Sequence, residues 1–119
     1  MPLSTQAVAL LRERPRIKGS PYVFPQHKNP RAPLGNPQAL WDELSEMCGL
    51  RLTSHDMRRT FLAIALKCGV ELWRAEILTN HRPQSVTLVH YVETNDLRED
   101  YAEHAQRIGD WIEACANAG

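Results

Sequence analysis

Five prolines, Pro15, Pro21, Pro25, Pro30 and Pro33, fall within nineteen consecutive positions. Each lacks a backbone donor and fixes its own φ, so this stretch cannot form a regular helix. Regular structure must therefore come from a short segment before Pro15 and a long one after Gly35. Tyr22-Val23-Phe24 is compatible with a short extended piece inside the irregular stretch. A loop this long in a small domain is usually functional or mobile. With 119 residues, 43% of them hydrophobic, the chain holds material for one core and not comfortably for two.

Outside the proline-rich stretch the apolar residues recur at helical spacing. Ser4 is placed to cap a short helix carrying Ala7, Val8, Leu10 and Leu11. Asn36 followed by Pro37 reads as an N-cap with proline in the first helical position, and Leu40, Leu44, Met47 and Cys48 follow until Gly49 ends that helix. A third helix starts near Ser54 and presents Met57, Phe61, Ile64, Ala65 and Cys68 on one face before Gly69. Val70 to Leu78 forms a fourth, with Asn80 where a left-handed residue closes a helix end. From Asn95 to Ala118, the positions Leu97, Tyr101, Ala105, Ile108, Trp111, Ile112 and Cys115 form an apolar stripe with an acidic opposite face. Val86 to Val92 reads as strand by its valine and threonine and as helix by a Ser85 cap. The fold class expected is mainly α, a compact bundle of about five helices with at most a short β element near the N-terminus.

Formal net charge is zero, but the charges are segregated. Through Arg31 there are six cations (Arg12, Arg14, Arg16, Lys18, Lys28, Arg31) against Glu13 alone, whereas from Glu93 onward seven acids face Arg98 and Arg107. Such a chain can meet a polyanion with one end while the other stays away, and Arg14, Arg16, Lys18, Lys28 and Arg31 are the candidate contacts. Cys48, Cys68 and Cys115 are odd in number and far apart, which reads as reduced core thiols rather than disulfides or a zinc site. No run approaches roughly 20 apolar residues, and no basic region followed by an apolar stretch opens the chain. The expected location is cytoplasmic, without a membrane partner.

His55 and Arg58 lie three residues apart and so on the same side of the third helix, close to its N-terminus. His81 follows, and then Tyr91. This set suits attack on a phosphodiester without a metal. A phenol has a pKa of about 10 and is ionised about one time in a thousand near neutrality, so Tyr91 as a nucleophile must sit in line with phosphorus beside positive groups. A guanidinium at Arg58 stays charged and can meet two phosphate oxygens at once. His55 and His81 can donate hydrogen bonds to the same phosphate or relay protons, and a helix N-terminus favours an anion. His90 competes with His81 for its role, and Arg59 points to another face of the helix.

The segment from Ser54 to Val92, Ser-His-Asp-Met-Arg-Arg-Thr-Phe through Asn-His-Arg-Pro to Val-His-Tyr-Val, resembles the tyrosine recombinase (phage integrase) family. That family cuts and rejoins DNA through a tyrosine-linked phosphodiester. The resemblance implies Tyr91 as nucleophile, with Arg58, His55 and His81 around the phosphate, and a helical reading of 86–92. Further implied are site-specific recombination or integration through a 3′-phosphotyrosyl intermediate, double-stranded DNA as partner, a homo-oligomer on that DNA and no cofactor. Thr79-Asn80-His81 stands where the family has Leu-Gly-His, and Met1-Pro2-Leu3-Ser4 is similar to the end of the strand leading into the family's mid-domain helix. An arginine early in the family's catalytic domain and a lysine on the hairpin before the Pro-Leu-Ser segment would lie upstream of Met1. The expectation is thus a C-terminal part of a catalytic domain, inactive alone, with 1–94 as core portion and 95–119 as terminal helix. A helical DNA-binding module without chemistry is the main rival. A metal-dependent phosphohydrolase built on His55-Asp56 is a weaker one, and type IB topoisomerases share the chemistry.

Overall fold

A computed structural model of the chain describes residues 1–80 and 98–119. Among them are five helices: α1 (Thr5–Glu13), α2 (Gln38–Cys48), α3 (Ser54–Lys67), α4 (Leu72–Leu78) and α5 (Arg98–Ala118). The described residues are mainly α, as expected, and their β structure is a single antiparallel bridge between Pro25 and Pro33. No described helix is long and apolar enough to cross a membrane. Two units divide the chain, one made of Met1–Arg12 with Arg58–Gly119 and the other of Glu13–Met57.

The first unit is organised by the turn that ends α3. Gly69 adopts a left-handed conformation with φ of 75°, which glycine enters without the penalty a Cβ imposes. Its N–H donates to the Leu66 carbonyl and the N–H of Val70 to that of Ala65, both at 3.0 Å, so two orphan carbonyls of α3 are satisfied. Val70 is thereby turned inward and clusters with Ala65, Ala75 and Ile108, with Phe61, Leu62, Ile64, Cys68 and Leu78 packed around them. Burying Val70 and Ile108 contributes about 1.5–3 kcal/mol each. The fourth helix starts at Leu72 and not at Val70, because Val70 completes this turn and the extended Glu71 takes the cap position. At the other end of α4, Asn80 has φ of 59°, the left-handed closure its residue type foretells.

Residues of α1 are clasped to α5. Ser4 is buried, and its Oγ accepts from the Ala7 N–H at 3.3 Å as an N-cap. The Thr5 N–H donates to Gln106 Oε1 at 2.8 Å, and the Gln6 amide donates to Asp110 at 2.8 Å and Glu113 at 3.0 Å. Gly109 sits beneath this turn: a Cβ there would lie 2.6 Å from Ser4 Cβ. Hydrogen bonds from Gln6 and from Gln106 hold the Asp110 carboxyl below its ordinary value. Along α5, Tyr101 and Ile108 are buried, Ala105 and Trp111 are half-buried, and Ile112 is exposed. The stripe is thus buried on its own unit at two positions, while Leu97 lies outside the described residues.

In the second unit the prolines do prevent helix. The bridge forms through their neighbours' donors, with the Leu34 N–H on the Phe24 carbonyl at 2.7 Å and the Gln26 N–H on the Ala32 carbonyl at 2.9 Å. Pro37, not Asn36, occupies the cap position of α2 and offers no side-chain hydrogen bond. Gly49 ends α2 in the left-handed region, as expected. The apolar positions of α2 do not form a core, since none of its residues is buried and Leu40, Met47 and Cys48 are exposed. The reading of the cysteines as core thiols is also corrected: all three are free, but Cys48 and Cys115 are exposed and Cys68 is half-buried. Helical spacing marks a shared face without showing that anything covers it.

Two outcomes follow for the clasp. Gly109→Ala should destabilise the chain by about 1–3 kcal/mol, because the new methyl meets the buried Ser4 cap as well as the tip of Gln6; urea unfolding reads this. Asp110, whose folded pKa is depressed, contributes stability that is present above 3.8 and lost as pH falls below that value through the folded pKa. Asp110→Asn should flatten this part of the acid unfolding profile.

Candidate functional site

The N-terminus of α3 is held by two interlocking devices. Thr53 precedes the first helical residue, and its Oγ1 accepts from the Asp56 N–H at 3.2 Å. Asp56 reaches back, its Oδ2 accepting from the Thr53 N–H at 3.0 Å and from Thr53 Oγ1 at 2.6 Å. This is a reciprocal capping box with aspartate in the place usually taken by glutamate or glutamine. One residue upstream, the Leu52 N–H donates to Ser45 Oγ at 2.8 Å while that hydroxyl donates to the Trp41 carbonyl at 2.6 Å. The loop into α3 is therefore tied to α2.

His55 is the second residue of α3 and is exposed; Arg58 is the fifth and is half-buried. The amides of Ser54 and His55 have no acceptor within the helix, so hydrogen-bond donors and the positive dipole end coincide with the two side chains. Asp56 Oδ2 is engaged in the cap, which gives the carboxylate beside His55 a structural role. His81, His90 and Tyr91 lie outside the described residues, as does the 86–92 segment whose helical or extended state the sequence leaves open. The last described residue before His81 is Asn80, in the left-handed conformation that glycine would take in a Leu-Gly-His segment.

The candidate basic residues divide into two kinds. Arg14 donates to the Val23 carbonyl and its guanidinium stacks 4.6 Å from the Phe24 ring centroid, so it braces the proline-rich loop. Arg16, Lys18, Lys28 and Arg31 are exposed. From Arg14 to Trp41 there is no aspartate or glutamate at all, a signal that counting charges only through Arg31 misses. The capping box is likewise readable in Thr53-Ser54-His55-Asp56, because its spacing is that of an N-terminal signature.

A second charged cluster has a structural role. Arg74 pairs with Glu71 at 2.9 Å and Asp100 at 3.2 Å and lies over Trp73. Burial pulls its pKa down, but hydrogen bonds to Glu71 and then Asp100 outweigh this and the net shift is upward. Glu103 and His104 complete the lining of that cleft. Nearby, Arg107 donates to the Cys68 carbonyl at 3.2 Å, just past the end of α3. Among the described residues no three His, Cys, Asp or Glu side chains are grouped to hold a metal.

Comparison with known proteins agrees with the motif at a distance. The chain is 25% identical over 114 residues to tyrosine recombinase XerA of Pyrococcus furiosus, an alignment covering 93% of this chain. It spans 39% of that relative's length. No family profile matches the chain, and no solved structure matches it either. The chain is thus distantly similar to a tyrosine recombinase.

Proposed function

We propose that this chain is the C-terminal part of a tyrosine recombinase catalytic domain, acting in site-specific DNA recombination or integration. The observation that carries the reading is the placement of His55 and Arg58 on the capped first turns of α3, in a chain similar over 114 residues to a recombinase. Tyr91 attacks the scissile phosphorus in line, forming a 3′-phosphotyrosyl bond as the bond to the 5′-oxygen breaks and that oxygen takes up a proton. Attack by the freed 5′-hydroxyl of another strand reverses the step, so no net bond energy is lost and no cofactor is required.

Arg58 meets the non-bridging oxygens, whose negative charge grows as the phosphorane forms, and His55 and His81 add hydrogen bonds or move protons. No residue of this chain is assigned to the further arginine and lysine that the resemblance implies. Duplex DNA is held by Arg16, Lys18, Lys28 and Arg31, with Arg14 bracing their loop, and the parent assembles as a homo-oligomer on its site.

In the parent protein, Tyr91→Phe should abolish the denaturant-resistant protein–DNA adduct on nicked duplex while leaving binding nearly unchanged, since only the hydroxyl is removed. Arg58→Lys should reduce adduct formation by about a hundredfold or more, because an ammonium cannot reproduce the two-point clamp. An adduct persisting in the Phe variant would move the nucleophile elsewhere, and binding without any adduct in the unmutated parent would favour the non-catalytic module. Charge reversal at Arg16 and Lys18 should flatten the salt dependence of DNA binding by about one unit of slope for each phosphate that is no longer neutralised. An unchanged slope would remove the loop from the interface.

A further inference from the structure

Resting on the recombinase reading, we propose that Asp56 is a positioning residue, which sets His55 and Arg58 on the DNA phosphate through its capping box with Thr53. A carboxylate one residue from a phosphate-facing histidine is unfavourable on electrostatic grounds alone, because it repels the polyanion the site must receive. Its bonds show what offsets that repulsion. Both Asp56 bonds to Thr53 and the return bond from the Asp56 N–H lie between 2.6 and 3.2 Å. They fix the only residue between the Ser45-bound Leu52 and the first turn of α3.

His55 is the second residue of the helix and Arg58 the fifth. Fraying from an uncapped end reaches the second position before the fifth, so the cap governs His55 more than Arg58. Oδ2 of Asp56 accepts from both the N–H and the hydroxyl of Thr53, which ties that oxygen to the start of the helix. Asp56 thus acts through the backbone that carries His55, not on the phosphate itself.

The positioning role and simple electrostatics predict opposite signs for one substitution, which makes the test direct. Affinity of the 119-residue chain for a duplex oligonucleotide and the NMR chemical shifts of the His55 ring, with and without that DNA, are compared across variants. Unmutated protein should show His55 ring signals that move when DNA is added, since the proposal places a phosphate beside the ring. Asp56→Ala should bind about fivefold more weakly despite removal of a negative charge, the equivalent of a missing helix cap, and its His55 response should shrink. Thr53→Ala should do the same at unchanged charge, while Asp56→Glu and Thr53→Ser, which keep the reciprocal bonds, should restore both readouts.

Equal or tighter binding by Asp56→Ala, or an unaltered His55 response in Thr53→Ala, overturns the positioning role and leaves the recombinase reading standing. Absence of any His55 response to DNA in the unmutated chain overturns that reading and the proposal with it. Should Asp56→Ala fail to fold by circular dichroism, the Thr53→Ala and Thr53→Ser pair decides the matter.

Discussion

The left-handed turn at Gly69 is the constraint on which the first unit depends. It ends α3 and sends Val70 beneath it, so that one chain reversal both satisfies the helix end and supplies a core residue. Ala65 and Ala75 are fully buried, and their small side chains let α3 and α4 come near Val70 without displacing it. Ile108 of α5 closes the cluster. Its neighbour Gly109 then presents bare backbone to Ser4, which is why the first turn of α1 can lie against α5. A turn near the middle of the chain thereby organises segments from both of its ends.

The consequence for the candidate site runs through α3. Its C-terminal end is fixed by the Gly69 turn and by Arg107 on the Cys68 carbonyl. Its N-terminal end is fixed separately, by Thr53 with Asp56 and by Ser45 on Leu52. A helix pinned at both ends presents residues of its first turns with little slack, and catalysis of phosphoryl transfer rests largely on such placement. His55 and Arg58 thus lie near the capped start of α3, the first exposed and the second half-buried.

Much of the fold is legible in the sequence where a residue has one strong local preference. Ser4 caps, the prolines exclude helix, Gly49 and Gly69 terminate helices, and Asn80 takes positive φ, each for a reason of backbone geometry. What fails is inference from apolar spacing to burial. Leu40, Met47 and Cys48 recur as a helical face should, yet they are exposed, because periodicity reports which side chains share a side and says nothing of what meets them. The start of α4 is misplaced for a related reason, since Val70 is apolar like its successors but belongs to the preceding turn. At the site, spacing carries both the HxxR pair and its capping box, but an aspartate beside a histidine invites a chemical role before a structural one.

The zero net charge, which on its face argues against a polyanionic partner, loses that meaning once the charges are located. Four acids of α5 have internal partners: Asp110 and Glu113 with the Gln6 amide, Asp100 with Arg74, and Glu103 with Arg107. The two exposed ion pairs contribute little stability individually, but they offset two of these negative charges within the fold. The cations of the proline-rich loop lie instead in a stretch without a single acid from Arg14 to Trp41. Screening confines such charges to a range of about 8 Å at physiological salt, so an anion beside Lys18 or Arg31 would respond to that loop and not to the sum over the chain. The prolines deny this loop a helix, and Arg16, Lys18, Lys28 and Arg31 lie exposed along it, so the residues that limit the fold also leave these cations on the surface.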